Sequence, residues 1–67
     1  MSSNQTLVAL LKKLLKLEEE ARDLYTEYIG KVKNQELIND FKFIRDQEVG
    51  HVKLAKQALE ILGEPVS

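Results

Sequence analysis

Sixty-seven residues suffice for one small domain and no more. A chain of that length buries only about 60% of the surface it exposes when unfolded, so it needs a disulfide, a metal or a partner to be stable. The absence of cysteine excludes disulfides, thiolate metal sites and thiol catalysis, and ten basic against eleven acidic residues argue against a general nucleic-acid or anionic-membrane binder. A metal, self-association or both remain.

In chain order, the start Met1-Ser2-Ser3-Asn4-Gln5 is polar and uncharged, unlike a secretory signal, so the cytoplasm is the expected compartment. Ser3 and Asn4 are both good cap types, and a first helix is expected over about 4–32. Gly30 is a rival end for it. The apolar stretch Leu7 to Leu17 is broken by Lys12, Lys13 and Lys16 and cannot span a bilayer; these lysines read as solvated heads lying over apolar surface. Asn34 offers a second cap with Glu36 in the following first turn, opening a helix expected over about 35–62. Gly63 followed by Glu64-Pro65 is its stop signal. So short a connection permits only an antiparallel hairpin, and the whole chain, 1–67, is read as one all-α domain.

Steps of four and three trace an apolar stripe through Leu7, Leu11, Leu14, Glu18, Ala21, Tyr25, Tyr28 and Val32, and a second through Leu37, Phe41, Ile44, Glu48, His51, Ala55, Ala58 and Leu62. This row is expected to form the seam of the hairpin. Further apolar residues beside it, including Leu10, Leu17, Leu24, Leu54 and Ile61, widen each face beyond what one helix covers, so two hairpins are expected to join as a four-helix bundle.

Both stripes are interrupted at mid-length by Glu18, Glu48 and His51. In a hairpin turning at residue 33, Glu18 and Glu48 lie fifteen residues to either side and so at one height, with His51 one turn further along. A buried carboxylate costs several kcal/mol unless paired, protonated or metal-bound. Arg22 and Arg45 lie near this level but off the traced row, and would have to bend inward to pair. Two hairpins would assemble four carboxylates and two imidazoles, whose negative charge two divalent cations neutralise. One Glu from each of two helices plus Glu-x-x-His from each of the other two is the carboxylate di-metal set of four-helix bundles. Carboxylate and imidazole donors suit Fe, Mn or Zn. Glu19, Glu20 and Glu27 read as a solvated face, and Gly50, unfavourable inside a helix by about 1 kcal/mol, reads as a point of close helix approach.

Glu18-x6-Tyr25 followed by Glu48-x-x-His51 resembles one half of a ferritin-like or rubrerythrin-like protein, closest to the two-helix encapsulated ferritins and their archaeal relatives. The likeness covers roughly Leu7 to Gly63 and includes the thirty-residue gap between the two glutamates. It implies a di-iron centre between two subunits, ferroxidase activity, a homo-oligomer and an enclosing encapsulin shell. It also implies that Glu18 is a terminal ligand, Glu48 a bridging ligand, His51 a nitrogen ligand and Tyr25 an outer neighbour of the site. Three departures stand out: the sequence stops at Ser67 where the family carries a shell-docking extension, Leu17 replaces one of the two glutamates of the family's additional metal entry site (Glu20 holds the other place), and the cysteine-ligated iron of rubrerythrins has no counterpart. The rival expectation from another class is a metal-free dimeric hairpin serving as an adaptor or structural bundle.

Overall fold

The computed structural model describes residues 3–64 as two helices, α1 (Ser3–Lys31) and α2 (Gln35–Ile61). They fold back on each other as an antiparallel hairpin 49 Å long and 18 by 15 Å across. No strand occurs among the described residues, and no helix among them is long and apolar enough to cross a membrane.

The ends follow local chemistry. Ser3 and Asn4 are already helical, so neither stands outside α1 as the cap anticipated for it. Between the helices, the extended Asn34 accepts a hydrogen bond from the Leu37 amide at 3.0 Å and so satisfies one of the free donors at the start of α2. At the far end, Gly63 adopts φ +81°, where a side chain would be strained. This turns the chain so that the Gly63 amide reaches Glu60 O and the Glu64 amide reaches Leu59 O, both at 2.9 Å, closing the last carbonyls. Pro65, the last part of the expected stop signal, lies outside the described residues. Lys12 pairs with Glu64 at 2.7 Å across the open end of the hairpin, while Lys13 and Lys16 are exposed.

The seam differs from the traced row. The residues buried or half-buried between the helices are Val8, Leu11, Leu15, Glu18, Arg22, Tyr25, Ile29 and Val32 on α1, facing Ile38, Phe41, Arg45, Glu48, Val52, Ala55, Leu59 and Leu62 on α2. Each set repeats every three and four residues as positions a and d of a heptad. The d residues belong to both rows; of the g residues in the traced row, Ala21, Ile44 and Ala58 are half-buried, while Leu7, Leu14, Tyr28, Leu37 and His51 are exposed. The physical reason is the width of the apolar arc. On α1 the rows c, g, d and a are apolar over most of their length and together cover roughly 160° of the helix, so spacing alone does not say which half meets the partner helix.

Val52, Ala55 and Leu59 are the fully buried core, with Leu59 at 0% exposure. On the turn side of the polar middle, Tyr25, Tyr28 and Phe41 form an aromatic cluster with ring centroids 5.5–5.9 Å apart. Gly50 corrects a second expectation: a Cβ there meets nothing within 4 Å, so no close approach within the hairpin requires it. Two substitutions therefore act in opposite directions. Leu59→Ala should destabilise the fold by roughly 2–5 kcal/mol, whereas Gly50→Ala should stabilise it by about 0.5–1 kcal/mol; urea melts followed by circular dichroism measure both.

Candidate metal centre

Glu18 and Glu48 hold d positions on facing helices, and His51 holds the g position one turn beyond Glu48. Their nearest ligand atoms lie within 4.8 Å of one another. His51 Nδ1 is 2.7 Å from Glu18 Oε2 and 3.8 Å from Glu48 Oε2. With Glu18 ionised, Nδ1–H is the donor of the shorter contact. The two glutamate side chains are 20% and 17% exposed, the imidazole 58%. The carboxylates thus sit inside the seam while the histidine stands at its edge, turned toward the uncovered apolar face.

Glu48 Oε2 is buried without a hydrogen-bond partner among the described residues. Hydrogen bonding between the two carboxyls drives their acidities apart. It holds Glu18 below the ordinary carboxylate value, helped by His51 and opposed by burial. It raises Glu48 above that value, helped by burial and by the charge of Glu18 and opposed by His51. Of the two carboxyls, Glu48 is therefore the first to take up a proton as pH falls. Two acids and an imidazole around one buried oxygen offer a cation's donor set, held in its absence by the His51 N–H on Glu18 and by a proton shared between the carboxyls.

Beside the cluster a groove of about 430 Å³ runs along the apolar face, walled by Leu11, Leu14, Leu54, Ala55 and Ala58 and ending on Glu18 and His51. Tyr25 is not brought to this cluster. It stands two turns toward the connection, packed against Tyr28 and Phe41, and no contact joins it to the carboxylates among the described residues. Glu20 and Glu27 are exposed, Glu27 pairing with Lys31 at 2.8 Å, whereas Glu19 is half-buried rather than fully solvated.

Two charged residues of the polar middle were placed off the seam by spacing and are in it. Arg22 and Arg45 occupy a positions directly facing each other's helix, with side chains 32% and 30% exposed. The signal that finds them is the heptad Val8, Leu15, Arg22, Ile29, which places Arg22 in register with apolar residues.

No family model, curated protein or solved structure matches the chain.

The opposed acidities have a measurable consequence. A cation and a proton compete for Glu48, so binding should weaken as pH falls through the raised Glu48 value and release protons in that range. In the metal-free protein the signs are separate. Ionised Glu18 contributes stability that is lost as pH falls through its lowered value, and neutral Glu48 contributes stability that is lost as pH rises through its raised one. Glu48→Gln should accordingly raise the melting temperature of the metal-free protein at neutral pH. Calorimetry of Zn(II) binding in buffers of different ionisation enthalpy reads the released protons.

Proposed function

We propose that two copies of this hairpin pair into a ferritin-like four-helix bundle whose Glu18, Glu48 and His51 hold iron between the subunits, and that the protein is a ferroxidase serving iron storage or detoxification. The observation that carries the reading is the unpartnered Glu48 Oε2 beside Glu18 and His51, with every ligand atom within 4.8 Å. An uncompensated carboxylate in a seam this thin costs several kcal/mol, and a shared divalent cation offsets that cost. Oxygen and imidazole donors without sulfur suit Fe(II), with Mn(II) or Zn(II) as substitutes.

Pairing is supported by the surface. A compact monomer of 7.7 kDa exposes roughly 4,300 Å² by the usual scaling. This chain exposes 5128 Å², and the difference, roughly 800 Å², matches what each partner of a standard interface buries. Exposed apolar side chains gather on one face, with Leu7, Leu10, Leu14, Leu17, Leu24 and Tyr28 along one edge of α1 and Leu37, Leu54 and Ile61 on α2, while Phe43 and Val49 are exposed elsewhere. A second copy brings the same face, and His51 lies on its border. The resemblance to encapsulated ferritins supports the same assembly.

Bound at this site, iron supplies the redox chemistry, two Fe(II) ions each giving one electron to dioxygen or peroxide. The chain's own contribution is charge, position and access. Glu18 and Glu48 would hold the cation through carboxylate oxygens and His51 through a ring nitrogen, in place of its present hydrogen bond with Glu18. The groove along Leu11, Leu14 and Leu54 gives a small apolar oxidant a path to the cluster. A cytoplasmic or shell-enclosed setting belongs to the same proposal.

A metal-free adaptor is favoured by one observation, the 2.7 Å bond between His51 and Glu18, which satisfies that pair without a cation. It gives Glu48 Oε2 no donor, so that oxygen needs either a proton shared with Glu18 or a cation, and the metal reading takes the cation. The two separate cleanly. Fe(II) added in air should be oxidised with the appearance of ferric absorbance, and Glu48→Ala and His51→Ala should both abolish it. Zn(II) at a hundred times its dissociation constant should stabilise the fold by roughly 2.7 kcal/mol, a rise of about 10–20 °C in Tm. Sedimentation should give at least a dimer, which Leu10→Glu dissociates with loss of oxidation. Unchanged oxidation in the ligand variants, or a dimer whose Tm ignores both metals, rejects the ferroxidase and leaves the adaptor.

A further inference from the structure

The polar middle contains two ion pairs that helix spacing calls for and the fold does not make. Glu18 and Arg22 stand at i,i+4, with the acid toward the N-terminus, the favoured order for a helical pair. Arg45 and Glu48 stand at i,i+3 on the other helix. Both arginines are half-buried in the same seam as the glutamates, yet among the described residues neither guanidinium lies within ion-pairing distance of Glu18 or Glu48.

Each turns instead to the next residue in the chain. Arg22 Nε donates to Asp23 Oδ1 at 3.0 Å, with Nη2 in ion-pair contact with the same oxygen at 3.0 Å. Arg45 Nη2 and Nε donate to Asp46 Oδ1 at 3.0 and 3.3 Å. Adjacent residues do not face each other on a helix, so these contacts hold the guanidiniums toward the edge of the seam and not toward the glutamates. The arrangement is the same on both helices: arginine at position a, aspartate following it at the solvent edge, glutamate one turn away in the seam. Since Arg22 and Arg45 sit at one height, the aspartates also neutralise two like charges that would otherwise face each other.

We propose that Asp23 and Asp46 are positioning residues that hold Arg22 and Arg45 away from Glu18 and Glu48 and so keep the two glutamates open to a cation. This rests on the metal reading of Glu18, Glu48 and His51 and adds to it a control on affinity. Without the aspartates the arginines fall back on the spacing-favoured partners and compete with the metal as tethered cations.

The test is Zn(II) binding by the full chain, measured by calorimetry at 0.15 M salt, where exposed charges beyond about 8 Å are largely screened. D23N and D46N should each weaken binding roughly two- to fivefold, the factor an exposed ion pair commands, and the double variant more. In an R22Q/R45Q background the same aspartate substitutions should have no effect, because the competitor is gone. Equal weakening in both backgrounds would mean simple loss of negative charge and would overturn the proposal. So would no weakening in either. A second readout needs no metal: in D23N/D46N the Nε–H resonances of Arg22 and Arg45 should shift when Glu18→Gln or Glu48→Gln is added, and in the wild type they should not. Resonances indifferent to the glutamates in D23N/D46N overturn the proposal independently. A wild type that binds no Zn(II) removes the metal reading itself, whereas a wild type that binds while the aspartate variants bind equally well removes this proposal alone.

Discussion

A carboxylate inside a two-helix seam sets the terms for everything else in this molecule. Glu48 lies in the row that also carries Ala55 and Leu62, and one of its oxygens is buried without a partner. The apolar side of the account is small, since among the described residues only Val52, Ala55 and Leu59 are buried in the single hairpin. A fold of this size is marginal before any charge is buried. The polar layer therefore cannot be an incidental defect carried by a large core. The hairpin is two short apolar packings, Leu11 to Leu59 on one side and the Tyr25, Tyr28 and Phe41 cluster on the other, joined through a layer of Glu18, Arg22, Arg45 and Glu48.

That layer separates its charges in a definite way. The acids turn toward each other and toward His51, and the bases turn out to aspartates at the solvent edge. Mutual neutralisation of Glu18 with Arg22 and of Arg45 with Glu48 is available by spacing and would be the quieter solution for a structural seam. Its absence leaves negative charge concentrated on the side that opens to the apolar face. The direction of the acidities agrees, because a carboxyl held neutral by a neighbouring carboxylate is what two acids do when no cation separates them.

Much of this is legible in the residues. The two helices follow from three-and-four spacing, the Asn34 cap from its residue type, and the end at Gly63 from the need for a positive φ. The meeting of Glu18 with Glu48 follows from equal distance to the turn, and that of His51 from one further helical turn. What spacing does not carry is the rotation of each helix about its own axis. An arc of four apolar rows offers two equivalent-looking seams, and the choice between them is made by three-dimensional packing of Val52 and Leu59, residues that belong to the row set aside. The same choice of row hid Arg22 and Arg45, whereas the expectation of Tyr25 beside the glutamates comes from the family resemblance and not from spacing. Gly50 shows a different limit: a glycine in a helix signals a close approach only where something approaches, and here nothing does.

The rotation found in the structure also strengthens the connection between assembly and chemistry. With a and d covered by the hairpin itself, rows g and c are left whole for another surface, and on α1 they read Leu7, Leu10, Leu14, Leu17, Ala21, Leu24 and Tyr28 without a polar break. On α2 the g row runs Leu37, Ile44, His51 and Ala58, so the one imidazole of the chain falls in the row that faces outward. Had the seam been the d and g rows, His51 would have been enclosed within one hairpin and the site would have been complete without a partner. As folded, the ligand set straddles the border between the seam and the uncovered face. Under the proposed assembly, metal binding and pairing of hairpins are then linked equilibria: whatever factor the second hairpin adds to cation affinity, the cation adds to the affinity of the hairpins for each other.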